Sequence, residues 1–228
     1  MIRYEEFKEV LPGLVNGYRA SEETARQIGG VIMLMMIGPS GAGKTSIMRE
    51  LGYPFVRSDT TREPRVGEVN GRDYNFRTDL DVLLTEVEKG EFVQIAAGPA
   101  GDFYGTKASS HPRSDIATMA VTARAVPLFR NLGFEHTISA VVTPPSYDEW
   151  LRRIKSHGLN GDQLRERTEE ACESLSLMLN DPRANFILND RVYDATIQVR
   201  ALVEGPKVNY FRDSKARKAS KSILQRLA

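Results

Sequence analysis

Short apolar runs along the chain predict buried strands. VIMLMMI (residues 31–37) is apolar at every position, which is typical of a central strand covered on both faces. ISAVVTPP (138–145) has the same apolar character and predicts another buried strand. Its two prolines end that strand, because proline has no N–H to donate within a sheet. NFILND (185–190) predicts one more short strand, and IATMAVTARAV (116–126) has strand character at its centre. These runs predict the central sheet.

Segments between these runs repeat their apolar residues with a helical period. LDVLLTEVEKG (80–90) places its leucines and Val87 on one stripe and ends at a glycine, which predicts an amphipathic helix. Other predicted helices cover residues 21–29, capped at Ser21 and stopped at Gly29, 45–51, 146–158, 162–180 and 193–204. Because strands alternate with helices, the pattern predicts an α/β fold with a parallel sheet and helices on both faces.

A polar region interrupts this alternation. YPFVRSD (53–59) predicts a second strand, and the turn residues of VGEVNGRDY (66–74) predict a hairpin. FVQIA (92–96) and DFYGT (102–106) predict two short strands around a glycine turn. The region is therefore expected to consist mainly of short strands and turns.

Composition and charge narrow the class of protein. The 228 residues suit one α/β domain with insertions, or one domain with small lobes. The chain is 41% apolar and 27% charged, as in ordinary globular proteins. Its formal net charge of +1 does not indicate nucleic acid or an anionic membrane as a partner. The single cysteine, Cys172, excludes an internal disulfide and fits a reducing compartment.

The two ends of the chain carry further signals. The start MIRYEEFKEV does not resemble a signal peptide, and the longest apolar run is too short to cross a bilayer, so we expect a cytoplasmic protein. Residues 205–228 carry seven lysines or arginines and one aspartate. We expect a solvated, partly mobile tail, and a weak contact with nucleic acid or an acidic partner is the alternative. No sequence feature specifies the oligomeric state.

GPSGAGKT (38–45) predicts a triphosphate site. It matches the phosphate-loop pattern G-x-x-x-x-G-K-[ST], with a predicted strand before it and a predicted helix after it. Glycines let backbone N–H groups turn toward phosphate oxygens, and the helix N-terminus adds partial positive charge. Lys44 can reach the β- and γ-phosphates, and the Thr45 hydroxyl can hold Mg²⁺. The loop therefore predicts binding of a nucleoside triphosphate with Mg²⁺.

The polar segment 58–76 predicts a second phosphate site. Arg62 and Arg65 are separated by a proline that stiffens the turn, and two guanidinium forks on such a loop can clamp one phosphate dianion. Hydroxyl donors in the same segment are Ser58, Thr60, Thr61 and Tyr74. Two phosphate sites in one small α/β fold favour phosphoryl transfer from a triphosphate to a monophosphate.

Five motifs together resemble the guanylate kinase family in order and spacing. They are GPSGAGKT (38–45), TTREPRVGEVNGRDYNF (60–76), DFYGT (102–106), PPSYDEWLRRI (144–154) and FILND (186–190). The resemblance implies a P-loop NTPase-type fold with an inserted monophosphate-binding lobe and a lid. It also implies a nucleoside monophosphate kinase that transfers the γ-phosphoryl group of MgATP to GMP or dGMP.

The same resemblance implies a division of the chain. It predicts an N-terminal extension at residues 1–28, a guanylate-kinase-like domain at 29–204 and a basic C-terminal tail at 205–228. Within the domain, the monophosphate-binding lobe is expected at residues 57–110 and the lid at 151–170.

Roles for single residues follow from the resemblance as well. The expected ATP-binding residues are Gly38, Ser40, Gly41, Ala42, Gly43, Lys44, Thr45 and Ser46, together with Asn189 and Asp190 beside the adenine. The expected acceptor-phosphate residues are Arg62, Arg65, Tyr74 and Tyr104, with Glu68 in support. Ser58 and Thr106 are expected to meet the O6 edge of guanine. The catalytic group is expected to comprise Lys44, Arg62 and the lid arginines Arg153 and Arg167.

Four positions depart from the family pattern. Gln94 stands where the family has a glutamate, Thr122 and Ala120 replace two aspartates, and His157 replaces a lid arginine. Carboxylates accept hydrogen bonds from N1–H and the exocyclic amine of guanine, whereas an amide can also donate. We therefore include Gln94 and Thr122 among the expected monophosphate-binding residues, and they open the alternative of another or a modified (deoxy)nucleoside monophosphate.

Two further hypotheses about the function stay open. A non-catalytic guanylate-kinase-like binding module is one, although such scaffolds typically lack the intact phosphate loop that this chain has. A kinase for another phosphorylated sugar or nucleotide is the second. His111 and His136 are isolated, so no metal site built from protein ligands alone is expected, and Trp150 is expected to be a packing residue.

Overall fold

A computed structural model describes residues 2–64, 67–98, 100–113, 115–156, 158–159, 161–205 and 210–227. The chain forms two compact units. The first unit consists of Met1–Val31, Pro54–Ala117 and Asn131–Glu135. The second consists of Ile32–Tyr53, Thr118–Arg130 and His136–Ala228. Arg65, which is expected to hold the acceptor phosphate, and His157, which replaces a lid arginine, lie outside the described residues.

The apolar runs form the sheet of the second unit, as predicted. Its strand order is β6-β1-β7-β8, and β7 lies parallel to both β1 and β8. The four strands are β1 (Val31–Ile37), β6 (Asp115–Ala120), β7 (His136–Thr143) and β8 (Ala184–Leu188). Every β1 residue except Ile32 is fully buried, because the sheet is covered on both faces there.

Helices flank this sheet and confirm the predicted α/β class. Ser146 caps one of them, since its hydroxyl accepts a hydrogen bond from the backbone N–H of Glu149 at 3.2 Å. The helices are α3 (Lys44–Leu51), α5 (Val126–Phe129), α6 (Tyr147–Lys155), α7 (Gly161–Leu179), α8 (Val192–Glu204) and α9 (Tyr210–Leu227).

Helix α9 corrects the prediction of a solvated, partly mobile tail. It packs along β8, and its inner face buries Ala216, Ser220 and Ile223 completely. The Asp213 carboxylate accepts a hydrogen bond from the Phe186 N–H at 2.7 Å. Side chains of α9 thus satisfy backbone groups of a strand that lies at the end of the sheet, and protect that edge. The prediction was wrong because small and apolar residues recur along one side of this segment, among its basic residues. One of those basic residues, Arg217, donates a hydrogen bond to the carbonyl oxygen of Ala184 in β8.

A smaller sheet organises the first unit. Its order is β3-β2-β5-β4, with β5 antiparallel to both β2 and β4. The strands are β2 (Asp59–Thr60), β3 (Asn75–Phe76), β4 (Phe92–Ala97) and β5 (Phe103–Lys107). The strand predicted at 53–59 is therefore reduced to its last residue. The predicted hairpin is also wrong, because β2 and β3 are parallel.

Helices α1 (Tyr4–Gly17), α2 (Glu22–Ile28) and α4 (Leu80–Glu88) complete the first unit. Phe7 and Leu11 of α1 lie one helical turn apart, are fully buried, and join a cluster with Leu83, Phe92 and Phe103. Helix α1 was not predicted from the sequence, although Tyr4, Phe7, Leu11 and Leu14 recur with a helical period. Its partner surface exists only once β4 and β5 have paired.

We predict that Leu11→Ala lowers the free energy of unfolding by about 2–5 kcal/mol, as large-to-small changes in buried sites do. Val10→Ala is the matched control, since Val10 lies beside Leu11 on the same helix and is 46% exposed. The control should change stability by less than about 0.5 kcal/mol. Equilibrium urea unfolding followed by circular dichroism measures both, and equal losses would contradict the packing of α1.

Candidate active site

The phosphate loop connects β1 to α3, and its shape depends on glycine. Gly38 has a φ of +127°, and a Cβ at this position would lie 2.3 Å from the carbonyl oxygen of Val142. Gly43 has a φ of +95°, and its Cβ would lie 2.2 Å from Nδ2 of Asn189. No side chain fits at either position. The loop therefore keeps its backbone close to the neighbouring strand ends and leads directly into the N-terminus of α3.

Lys44 folds back onto this loop. Its Nζ donates to the carbonyl oxygens of Gly38 at 2.6 Å and Pro39 at 3.0 Å. Burial lowers the pKa of Lys44 to about 8, while the charge of Glu170 raises it and that of Arg167 lowers it further. The ammonium group is thus held by carbonyl dipoles and one nearby carboxylate. A phosphate dianion in the loop would offer it a stronger partner.

Three side chains from other elements hold the loop in place. Nε1 of Trp150 donates to the carbonyl oxygen of Ser40 at 2.9 Å. Nδ2 of Asn189 donates to the carbonyl oxygen of Ala42 at 2.7 Å. Glu170 accepts from the Ser40 hydroxyl at 3.0 Å. Trp150 is fully buried, as expected of a packing residue, but it also anchors the loop, and the sequence analysis missed that role together with the whole role of Glu170.

The two expected lid arginines are each paired with a carboxylate on their own helix. Arg167 donates to Glu170 at 2.9 Å, and Nε of Arg153 donates to Glu149 at 2.7 Å. Hydrogen bonds from Arg152 and Arg153 lower the pKa of Glu149 to about 2. These pairs have the i, i+3 and i, i+4 spacings of helical neighbours, so the sequence did contain the signal for them.

Arg153 also connects its helix to the end of β8. Its second nitrogen donates to the backbone carbonyl of Asn189 at 3.1 Å. Asn189 is buried, and its Oδ1 has no hydrogen-bond partner within the described residues. The neighbouring Asp190 is exposed. The second unit thereby brings together Lys44, Arg153, Arg167 and the loop.

The chemistry of the loop fits Mg²⁺ bound together with phosphate. Thr45 and Ser46 are exposed in the first turn of α3. Across the described ranges, no group of three or more His, Cys, Asp or Glu side chains could hold a metal ion. Mg²⁺ usually keeps several waters and takes few protein ligands, with substrate phosphates supplying the others. Thr45 is therefore the residue that would hold the ion beside a bound triphosphate.

In the first unit, the Arg62 guanidinium is fixed from three sides. It makes a two-pronged ion pair with Glu68, with N–O distances of 2.8 and 2.9 Å. Its Nε donates to the Tyr104 hydroxyl at 3.1 Å. The group also lies over the rings of Tyr74 and Phe76, at 5.0 and 5.5 Å from their centroids. The Glu68 pair and Tyr104 raise the pKa of Arg62, so this cation is permanent and well ordered.

Three uncharged side chains lie side by side on adjacent strands of the small sheet. Gln94 on β4 is paired in register with Thr106 on β5. The antiparallel pairing of β2 with β5 places Ser58, which precedes β2, next to Thr106. All three are buried, and the Thr106 hydroxyl has no hydrogen-bond partner among the residues described. Thr122 belongs to the second unit and is exposed.

Side-chain alternation separates this polar row from the core. Tyr104 and Thr106 point to one face of β5, whereas Phe103 and Gly105 point to the other. The Phe103 face packs against α1 and α4. The other face therefore carries the hydroxyl and amide groups together with the Arg62 partner Tyr104.

Comparisons with known proteins identify a family that this chain resembles over most of its length. The family model described as guanylate kinase matches residues 31–205. A guanylate kinase of Trichormus variabilis is 33% identical over 159 residues, which are 63% of this chain and 75% of that protein. A guanylate kinase of Thermotoga maritima is 31% identical over 192 residues, covering 79% of this chain and 90% of that protein.

A solved structure supports the fold. The crystal structure of guanylate kinase from Anaplasma phagocytophilum superposes with a TM-score of 0.55 at 21% sequence identity. The match covers 78% of this chain and 85% of that one. Among the described residues, no helix is both long and apolar enough to cross a membrane.

We predict that ATP binding takes up a proton above pH 8. Without nucleotide, Lys44 loses its proton near pH 8, because its folded-state pKa is lowered. Triphosphate favours the charged form and raises that pKa, so affinity is unaffected below pH 8. Above pH 8 it should fall by up to about tenfold per pH unit. Calorimetry at pH 7 and pH 9, in two buffers of different ionisation enthalpy, measures the uptake.

Lys44→Arg is the control for this prediction, because a guanidinium stays protonated throughout this range. Its affinity for ATP should show little dependence on pH between 7 and 9, whatever its absolute value. Equal proton uptake in the wild type and in this variant would assign the uptake to another group.

Proposed function

Because the chain belongs to the guanylate kinase family, we infer that it is an ATP-dependent nucleoside monophosphate kinase that transfers the γ-phosphoryl group to GMP or dGMP. One observation supports this most directly. The chain has two separate arrangements suited to phosphate, the glycine loop with Lys44 and the Arg62 cluster with Tyr104. A protein that only hydrolyses a triphosphate has no need of the second.

The phosphate loop would bind MgATP. The backbone from Gly38 to Gly43 and the N-terminus of α3 supply N–H donors for the phosphates. Lys44 would exchange the carbonyls of Gly38 and Pro39 for phosphate oxygens. Thr45 would hold Mg²⁺, which neutralises charge on the triphosphate when bound. Ser40, Gly41, Ala42 and Ser46 complete the expected loop contacts, and Asn189 and Asp190 the adenine contacts.

Acceptor phosphate is assigned to the Arg62 cluster. Arg62, Arg65, Tyr74 and Tyr104 would hold the phosphate, and Glu68 would keep the Arg62 guanidinium in its plane. Phosphoryl transfer mainly requires alignment and neutralisation of charge. The attacking oxygen of a monophosphate is already anionic, so no general base is required.

The remaining cations, Arg153 and Arg167, would stabilise the γ-phosphoryl group during its transfer. Arg153 and Arg167 are neutralised by Glu149 and Glu170, and each would exchange that carboxylate for phosphoryl oxygens. We assign residues 57–110 to a monophosphate-binding lobe and 151–170 to a lid. Closure of such parts around bound substrates excludes water and suppresses hydrolysis of ATP. Residues 1–28 and 205–228 flank the catalytic part, and we place the enzyme in the cytoplasm.

A direct assay tests the function. The purified full-length chain is incubated with MgATP and each ribo- and deoxyribonucleoside monophosphate, and the rate of ADP formation is measured. Turnover that requires both MgATP and a nucleoside monophosphate is the expected result. Binding of ATP without turnover of any acceptor would instead favour the non-catalytic binding module.

We predict that Arg62→Lys lowers kcat/KM for the acceptor by at least about 100-fold, because an ammonium group cannot reproduce the two-pronged geometry. The KM for ATP should stay within about threefold, as expected if Arg62 binds only the acceptor. Arg72→Lys is the control, because Arg72 lies in the same polar segment but pairs with Asp73 at the surface. A large effect on ATP but not on the acceptor would reverse the assignment.

A further inference from the structure

The row formed by Ser58, Thr106 and Gln94 is neutral throughout. Register places the three side chains on neighbouring strands and on the same face of the small sheet. Thr106 is 0% exposed and its hydroxyl has no hydrogen-bond partner among the described residues. A buried hydroxyl without a partner costs stability, so a ligand that pairs with it is the simplest reason for its position.

Nearby carboxylates in the same unit do not supply the missing charge. Asp59 alternates to the opposite face from Ser58 and pairs with Arg77 at 2.5 Å and with Asn75 at 2.8 Å. Glu86 is engaged by Arg77 and Lys107. Glu68 makes its two-pronged pair with Arg62. The row therefore offers a ligand two hydroxyl groups and one carboxamide.

The pattern of donors on this row differs from what guanine requires. The edge of guanine presents an acceptor, O6, followed by two donors, N1–H and the 2-amino group. A carboxylate accepts from both donors. Gln94 has only one acceptor oxygen, so when that oxygen accepts from N1–H its NH₂ group faces the 2-amino group, donor against donor.

An imide edge matches the row better. Such an edge presents carbonyl, N–H and carbonyl in order, as in xanthine and in uracil. The hydroxyls of Ser58 and Thr106 can donate to the first carbonyl. The Gln94 oxygen accepts from the N–H, and its NH₂ group donates to the second carbonyl. Every group on the row then has a partner.

We propose that the acceptor site also takes nucleoside monophosphates whose base presents an imide edge, and that Gln94 is the residue that admits them. The proposal rests on the kinase function inferred above and names a further substrate class for the same site. Xanthosine monophosphate is the purine of this class, and UMP and dTMP are its pyrimidines.

The test compares kcat/KM for GMP, xanthosine monophosphate, UMP and dTMP, with MgATP saturating. The wild-type enzyme is expected to use at least one imide-edged acceptor with a kcat/KM no more than about tenfold below that for GMP. If xanthosine monophosphate is the only imide-edged acceptor used, the site recognises the imide edge but accepts only a purine. If UMP or dTMP is used as well, the site does not discriminate between a purine and a pyrimidine. Both results support the proposal.

Gln94→Glu supplies the second measurement. A carboxylate accepts from the guanine 2-amino group but repels the second carbonyl of an imide. The ratio of kcat/KM for GMP to that for the imide-edged acceptor should therefore rise by about 10- to 100-fold, the range expected for a buried mismatched pair. Gln225→Glu is the control, because Gln225 is exposed on α9 and should leave the ratio unchanged.

Two results would overturn the proposal, and they are distinguishable. If GMP is phosphorylated and every imide-edged acceptor is more than about tenfold poorer in the wild type, this inference fails and the kinase function stands. If no monophosphate of any kind is phosphorylated, both fail. The wild-type comparison decides the matter even if the Gln94→Glu protein does not fold.

Discussion

The close approach of three strand ends to the phosphate loop is the constraint on which the second unit depends. Gly38 follows β1, Val142 lies near the end of β7, and Asn189 follows β8. The backbone of Gly38 and Gly43 is so near to Val142 and Asn189 that neither position has space for a Cβ. Parallel strands place their carboxyl ends at one edge, and a tight turn there can present its N–H groups to a ligand. Glycine at two positions, and three strands in register, are therefore requirements of the same binding site.

A second property, the pairing of cations with carboxylates, runs through both units. Arg62 is held by Glu68, Arg153 by Glu149 and Arg167 by Glu170. Pairing keeps partly buried guanidinium groups hydrogen-bonded in the absence of nucleotide, when an unpaired charge would be costly. Phosphate bound at these arginines, as proposed, would compete with an existing partner at each one, so its affinity would reflect the difference between two charge-assisted interactions. Lys44 is different, because carbonyl oxygens are its hydrogen-bond partners, and burial lowers its pKa.

Sequence patterns predicted the local elements well and the tertiary ones poorly. VIMLMMI, the phosphate loop and the helix at α4 follow from residue type and period alone, and the structure confirms each as an element. Helix α1 was missed although its apolar residues recur with a helical period. Helix α9 was missed because its inner face mixes small, polar and apolar residues, which form a stripe only against β8. The carboxylate partners of Arg153 and Arg167 could have been found from helical spacing. The hydrogen-bond partners of Trp150 and Asn189 could not be found from the sequence, because they depend on which strands are neighbours in the sheet.

The small sheet shows how one strand can serve stability and recognition independently. On β5, Phe103 packs into the core with α1, whereas Tyr104 and Thr106 face the other way, so substitutions on one face need not disturb the other. The phosphate and the base of an acceptor also make separate demands. For the acceptor phosphate, Arg62 would provide a fixed cation whatever the base. For the acceptor base, Gln94 would alter the order of donors and acceptors without changing any charge near Arg62. On this proposal, the chain would keep the phosphate-holding residues of its family while the carboxamide of Gln94 widens the range of acceptor bases.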